Sequence, residues 1–164
     1  MTSPLPPLRR VVTYHNNAGK GFVAAQNEIA AEMMPHGVAS SVIWATKSHP
    51  APISDPGDSA KADDIGMVTP GSVARIVDIP PHTKGGLHRT ISLDYILVLE
   101  GSVTLSLDDG SRTVVKKGEL VVQQATMHGW DNESDEWARI FCVMLQAKSP
   151  VINGVQLEED LTQL

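Results

Sequence analysis

The chain has 164 residues, of which 41% are hydrophobic and 20% charged, with a net charge of −6. That length suits one domain able to close a substantial core. The mild acidity, and only two Phe and two Tyr, argue against a nucleic-acid partner, which needs a basic stripe or an aromatic stacking platform. The single cysteine, Cys142, excludes an intrachain disulfide and a cysteine-rich zinc cluster. Its place in the apolar run Ile140–Leu145 predicts a buried structural thiol rather than a nucleophile. Met1–Pro7 lacks the apolar centre of a signal peptide, and no apolar run approaches the roughly 20 residues of a bilayer span. A soluble cytoplasmic protein with no membrane partner is therefore expected.

In chain order, residues 1–9, with Pro4, Pro6 and Pro7, read as a flexible tether. Arg10–Tyr14 is β-branched and strand-like, and Asn16–Gly21 supplies turn chemistry. Ala24–Met34 is ambiguous: Ala25, Ile29 and Met33 fit a short helical stripe, but Pro35 and Gly37 end it early, so helix and extended arm both stay open. Ser40–Ala45 reads as a strand. Pro50–Asp64, with three Pro and four Asp, reads as a long loop, either a lid or a plain surface excursion.

From Gly71 the pattern is uniformly β. Ser72–Ile79 alternates with period two, the mark of a half-buried strand. Short strands follow at Tyr95–Leu99, Val103–Leu107, Thr113–Lys116, Leu120–Gln123 and Trp137–Leu145. Turn signals separate them at Glu100-Gly101, Asp108-Asp109-Gly110, Lys117-Gly118 and Asp131-Asn132. Many short, evenly spaced strands predict a closed antiparallel barrel or jelly roll. Gln156–Leu161 reads as one acidic helical turn or a loose tail.

Two clusters carry the chemistry. The first is Leu87–Asp94 closed by Glu100-Gly101, and the second runs from Gly118 to Asn132. On one straight strand His88 and Asp94 would lie roughly 20 Å apart at about 3.3 Å per residue. They meet only if Arg89–Leu93 contains the bend between two strands. Arg89, next to His88, should then point to the opposite face. His15, His36 and His49 have no supporting pattern and read as surface or turn residues.

The paired clusters resemble the two-part signature of the cupin family. His88 matches the first motif histidine, Gly101 the closing glycine, and His128 with Asn132 the end of the second motif. Thr90 stands where a second histidine is usual and Asp94 where a glutamate is usual. His82 replaces a glycine, and Gln124-Ala125-Thr126 replaces a stretch that usually holds proline and glycine. Val121–Trp130 further resembles small single-domain cupins of fungal and bacterial biosynthetic pathways.

The resemblance covers the barrel core at residues 72–146. It implies an all-β fold for one domain over residues 1–164: a cupin double-stranded β-helix (jelly-roll barrel) with an extended N-terminal arm. It also implies a homodimer formed by exchange of N-terminal strands, with a small-molecule substrate in the barrel mouth. His88, Asp94 and His128 are the candidate catalytic residues. Thr90, Gln123, Trp130 and Trp44 are candidate substrate-binding residues, although each also suits a structural role.

Three functions follow from this set. Imidazoles and a carboxylate without metal suit acid–base chemistry. That reading is a lyase or isomerase of secondary metabolism that dehydrates, decarboxylates or cyclises a carbonyl-rich, polyketide-like substrate. Alternatively, His88, Asp94 and His128 hold a divalent Fe, Zn or Mn ion as a two-histidine, one-carboxylate site, which in an iron oxygenase leaves room for oxygen. The third reading is a non-catalytic ligand-binding cupin.

Overall fold

The computed structural model describes residues 2–35, 37–53, 67 and 70–164. Regular structure among them consists of strands alone. These are β1 (Leu8–His15), β2 (Gly21–Ile29), β3 (Glu32–Met33), β4 (Ala39–Thr46), β5 (Ser72–Ile79), β6 (Ser92–Glu100), β7 (Ser102–Leu107), β8 (Arg112–Lys116), β9 (Leu120–Gln124), β10 (His128–Asp131), β11 (Ala138–Gln146), β12 (Val151–Ile152) and β13 (Val155–Gln156). No helix among the described residues is long and apolar enough to cross a membrane.

Two antiparallel sheets face each other, one of six strands ordered β3-β4-β5-β11-β6-β9 and one of three ordered β10-β7-β8. The all-β jelly-roll expectation holds, but the barrel is not closed, because the strands around the core form two separate sheets rather than one continuous ladder. Between them lies the main core of Ile79, Ile96, Val98, Val103, Val115, Ala138, Ile140 and Cys142. Each large aliphatic side chain buried there contributes about 1.5–3 kcal/mol. The alternation of β6 explains its part: Ser92, Asp94, Ile96 and Val98 point inward, while Tyr95 is exposed. Cys142 is buried in this core, and burial pushes its thiol up to about 12, as befits a structural residue.

The outer face of the six-stranded sheet is covered too at its β3-β4-β5-β11 end. Ala31, Ala39 and Ile76 form a second cluster with Leu8, Met33, Ile43 and Phe141 around them. Beside it, Arg139 and Asp78 form a buried pair, Nε to Oδ1 and Nη2 to Oδ2, each 2.6 Å.

Several expectations need correction. Of the expected tether at residues 1–9, the described residues 2–9 are not free: Ser3 is buried and its N–H donates to Ala31 O at 2.9 Å, Leu8 and Arg9 already belong to β1, and Pro6 O accepts from Arg139 Nη1. The cause is a buried guanidinium with more donors than Asp78 can satisfy. Ala24–Met34 is extended, forming β2 and β3. The C-terminal segment makes no helical turn but a β12–β13 hairpin followed by a bridge from Asp160 to Arg89. His15 and His49 are exposed, as expected. His36 and most of the Pro50–Asp64 loop lie outside the described residues.

Candidate active site

His88 sits in the link between β5 and β6, and His128 opens β10. The two exchange backbone hydrogen bonds of 2.9 Å in both directions. Antiparallel bridging brings the side chains of such a pair together, and the ring centroids are 4.4 Å apart at 47°. Both rings are buried, with exposures of 9% and 3%.

Their backbone partners fix the protons. His88 Nδ1 lies 3.0 Å from Gly86 O, and His128 Nδ1 lies 3.0 Å from Thr126 O. A carbonyl only accepts, so each Nδ1 donates and each Nε2 keeps its lone pair. Gln123 Nε2 also lies 3.0 Å from the same nitrogen of His128, while Gln123 Oε1 accepts from the Thr126 N–H at 3.4 Å. Burial lowers both histidine pKa values. His128 is pushed to about 4, chiefly by desolvation and further by its neighbour His88. Both imidazoles are neutral at pH 7.

The loop bearing His88 is shaped by two glycines. A Cβ at Gly85 would overlap the backbone of Trp130, and one at Gly86 would overlap the carbonyl of Gln163. Gly85 N–H donates to Asp131 Oδ1 at 2.8 Å, while Ser106 holds Oδ2 at 2.7 Å. Asn132, fully buried, bonds Ile79 O and Glu136 O through its amide nitrogen. That motif residue pins a corner.

Asp94 is 3% exposed, and its Oδ1 has no hydrogen-bond partner among the described residues. Burial raises its pKa to about 6, against the lowering pull of a Ser92 hydrogen bond and the Arg75 charge. Thr90, fully buried, extends the line with a 2.8 Å contact to Ser92 Oγ. Asp94 faces Gln123 across the β6–β9 ladder, so Gln123 lies between the carboxyl and His128. Trp130 packs on the main core and meets His128 edge-on at 5.9 Å.

The structure thus gathers His88, His128, Gln123 and Trp130 around the imidazole pair, and Thr90 and Asp94 along β6. It does not bring Trp44 in. Trp44 pairs with Ala74, on the face opposite Arg75, and Arg10 lies 6.0 Å over its ring. The bulge between Val42 and Trp44 helps set that face. Arg89 keeps away from the site and bonds the C-terminal segment. Sequence reasoning missed Ser92 and Arg75. Period two marks both, Ser92 two residues before Asp94 and Arg75 within the inward series Val73, Arg75, Val77 and Ile79.

Among the described residues no three His, Cys, Asp or Glu side chains converge where an ion could sit. Asp94 does not join the two imidazoles as a third ligand, so the expected His88–Asp94–His128 metal set is not assembled. Two protein ligands fall short of the three that open catalytic sites use. A cleft of about 410 Å³ near His82, Lys84, Arg112 and Glu133 includes none of the three candidate catalytic residues.

Comparison with known proteins agrees with this architecture. A cupin domain family profile matches residues 75–144. The cupin-domain-containing oxidoreductase virC of Hypocrea virens is 34% identical over 170 residues, covering 96% of this chain and 87% of the relative. The chain belongs to the cupin family. This cupin is also 30% identical to oryzines biosynthesis cluster protein J of Aspergillus oryzae, covering 97% and 94% of the two chains. Among solved structures it resembles the Cnp3 cupin domain of Schizosaccharomyces pombe, with TM-score 0.55, 10% identity and coverage of 84% and 87%. It also resembles the polyketide cyclase RemF of Streptomyces resistomycificus, with TM-score 0.50, 19% identity and coverage of 77% and 72%. At those identities the structural matches speak to fold alone.

Proposed function

We propose that this cupin is a cytoplasmic enzyme of secondary metabolism that moves a proton on a carbonyl-rich small molecule, as a lyase or isomerase. Relatives named for fungal biosynthetic clusters support the setting. The observation that carries the chemistry is Asp94: buried, with one oxygen unpartnered among the described residues and a pKa raised to about 6. A carboxylate tuned toward neutrality is a stronger base than an ordinary one yet still ionised at pH 7. In this reading Asp94 takes a proton from carbon next to a carbonyl and returns it elsewhere. The neutral Nε2 atoms of His88 and His128 accept hydrogen bonds from substrate hydroxyls and set the molecule against the carboxylate.

The test uses β-dicarbonyl polyketide analogues in D2O, with carbon-bound proton exchange followed by NMR. Exchange catalysed by the native protein and abolished in Asp94→Asn supports the proposal. Exchange unchanged in that variant removes Asp94 from the reaction.

A redox reading is favoured by one observation: several relatives are named cupin-domain-containing oxidoreductases. Oxygen consumption coupled to turnover would transfer the assignment to it.

The expected homodimer belongs to the same proposal. All of β2 except Ile29 is exposed in the β1–β2 ribbon. Tyr95, Leu120 and Val122 leave an apolar outer face near the β9 edge, and a second copy would cover both. A monomer mass by light scattering at micromolar concentration would remove the dimer.

A further inference from the structure

The segment Glu158–Gln163 crosses the outside of the loop that carries His88. Arg89 N–H donates to Asp160 O at 2.7 Å, and Asp160 N–H donates back to Arg89 O at 2.9 Å. The Asp160 carboxylate accepts from the Thr162 amide at 3.1 Å and from its hydroxyl at 2.7 Å. This turn brings the Gln163 carbonyl against Gly86, with no space for a Cβ. On the other side, a Cβ on Gly129 would lie 3.1 and 3.3 Å from the carbonyl oxygens of Gly85 and Gly86. The Gly85-Gly86 pair is gripped between β10 and the C-terminal segment. The Gly86 carbonyl held there is the one that accepts His88 Nδ1–H at 3.0 Å.

We propose that Glu158–Gln163 is a positioning element for His88, acting through Asp160 and Gly86. It fixes the Gly86 carbonyl, which fixes the proton on Nδ1 and leaves Nε2 as the lone-pair nitrogen. Its catalytic consequence rests on the role given above to His88, but its test requires no turnover. The same logic orients histidines elsewhere, since the group bonded to one ring nitrogen sets what the other can do.

Two variants of the full-length chain attack the contact from opposite sides. Gly86→Ala pushes against Gln163, and Asp160→Pro deletes the N–H that bonds Arg89 O. Nitrogen-15 NMR reads the tautomer of each histidine, and amide hydrogen exchange reads the Arg89 N–H. The expected result is Arg89 exchange faster by about tenfold or more, with the His88 proton redistributed between Nδ1 and Nε2. His128, whose Nδ1 partner is Thr126 O, keeps its tautomer. Accelerated exchange with His88 still wholly protonated on Nδ1 would overturn the proposal, as would unchanged exchange in both variants. If Gly86→Ala does not fold, Asp160→Pro decides alone, because it alters only a partly exposed segment.

Discussion

Asp78 and Asp94 are both buried in the six-stranded sheet, on the two strands that flank β11, and they are treated in opposite ways. On the outer face both Asp78 oxygens accept from Arg139 at 2.6 Å, and the spare guanidinium donor goes to Pro6 O. On the inner face Asp94 has an Oδ1 with no partner among the described residues, and only Ser92 and the Arg75 charge pull its pKa back down. A buried carboxylate with its bonds made holds structure together. One left partly unsatisfied costs stability, and its pKa moves toward neutrality. Such a cost persists in a fold where function uses it.

The largest effect should come from breaking the outer pair. Arg139→Ala leaves Asp78 buried without its cation and frees the N-terminal segment, so denaturant unfolding should report a loss of about 3–5 kcal/mol. A loss within the range of an exposed ion pair would remove the contrast. Asp94→Asn should do the reverse. Turnover falls by about 10²–10⁴-fold, while stability at pH 7 rises on the order of 2 kcal/mol because a buried charge is gone. A variant that is both inactive and less stable would make Asp94 a structural group like Asp78.

The pH dependence of stability sharpens the comparison further. His128 falls from 6.5 to about 4 on folding, so its contribution is present above pH 6.5 and lost as pH drops toward 4. Asp94 rises from 3.8 to about 6, so its contribution is greatest below pH 3.8 and lost as pH climbs to 6. Between pH 4 and 6 the two oppose each other in the native protein. In Asp94→Asn the lowered imidazoles of His128 and His88 remain and act in the same direction, so thermal unfolding should show a fall on the order of 2 kcal/mol or more between pH 6.5 and 4. A flat profile in that variant would mean that His128 is not held neutral. The smallest effect belongs to Trp44→Phe. Lying on the outer face beneath Arg10, it should leave proton exchange within about twofold of native, well under one kcal/mol of barrier.

Much of the architecture was legible because period two survives wherever one face is buried. Ser72–Ile79 was bounded correctly, and strand rise called for a bend after His88 only on the condition, implied by the family resemblance, that His88 and Asp94 share a site. The N-terminal anchoring was not legible, because it depends on a guanidinium arriving from β11, 133 positions away. For the same reason the sequence could not separate Trp130 from Trp44. Both suit a pocket wall by type, but the register against Ala74 turns Trp44 outward, and a bulge leaves no reliable mark in composition. Motif spacing located His88, Asp94 and His128 as a group. Whether the carboxyl joins the imidazoles as a ligand depends on side-chain direction, which spacing does not encode.

The central claim is that Asp94 is a carboxylate tuned by burial. Carbon-13 NMR titration of its side-chain carboxyl in the native protein, assigned with Asp94→Asn, tests it most directly. The account predicts a midpoint of about 6, and a midpoint near the ordinary aspartate value of about 4 would contradict it.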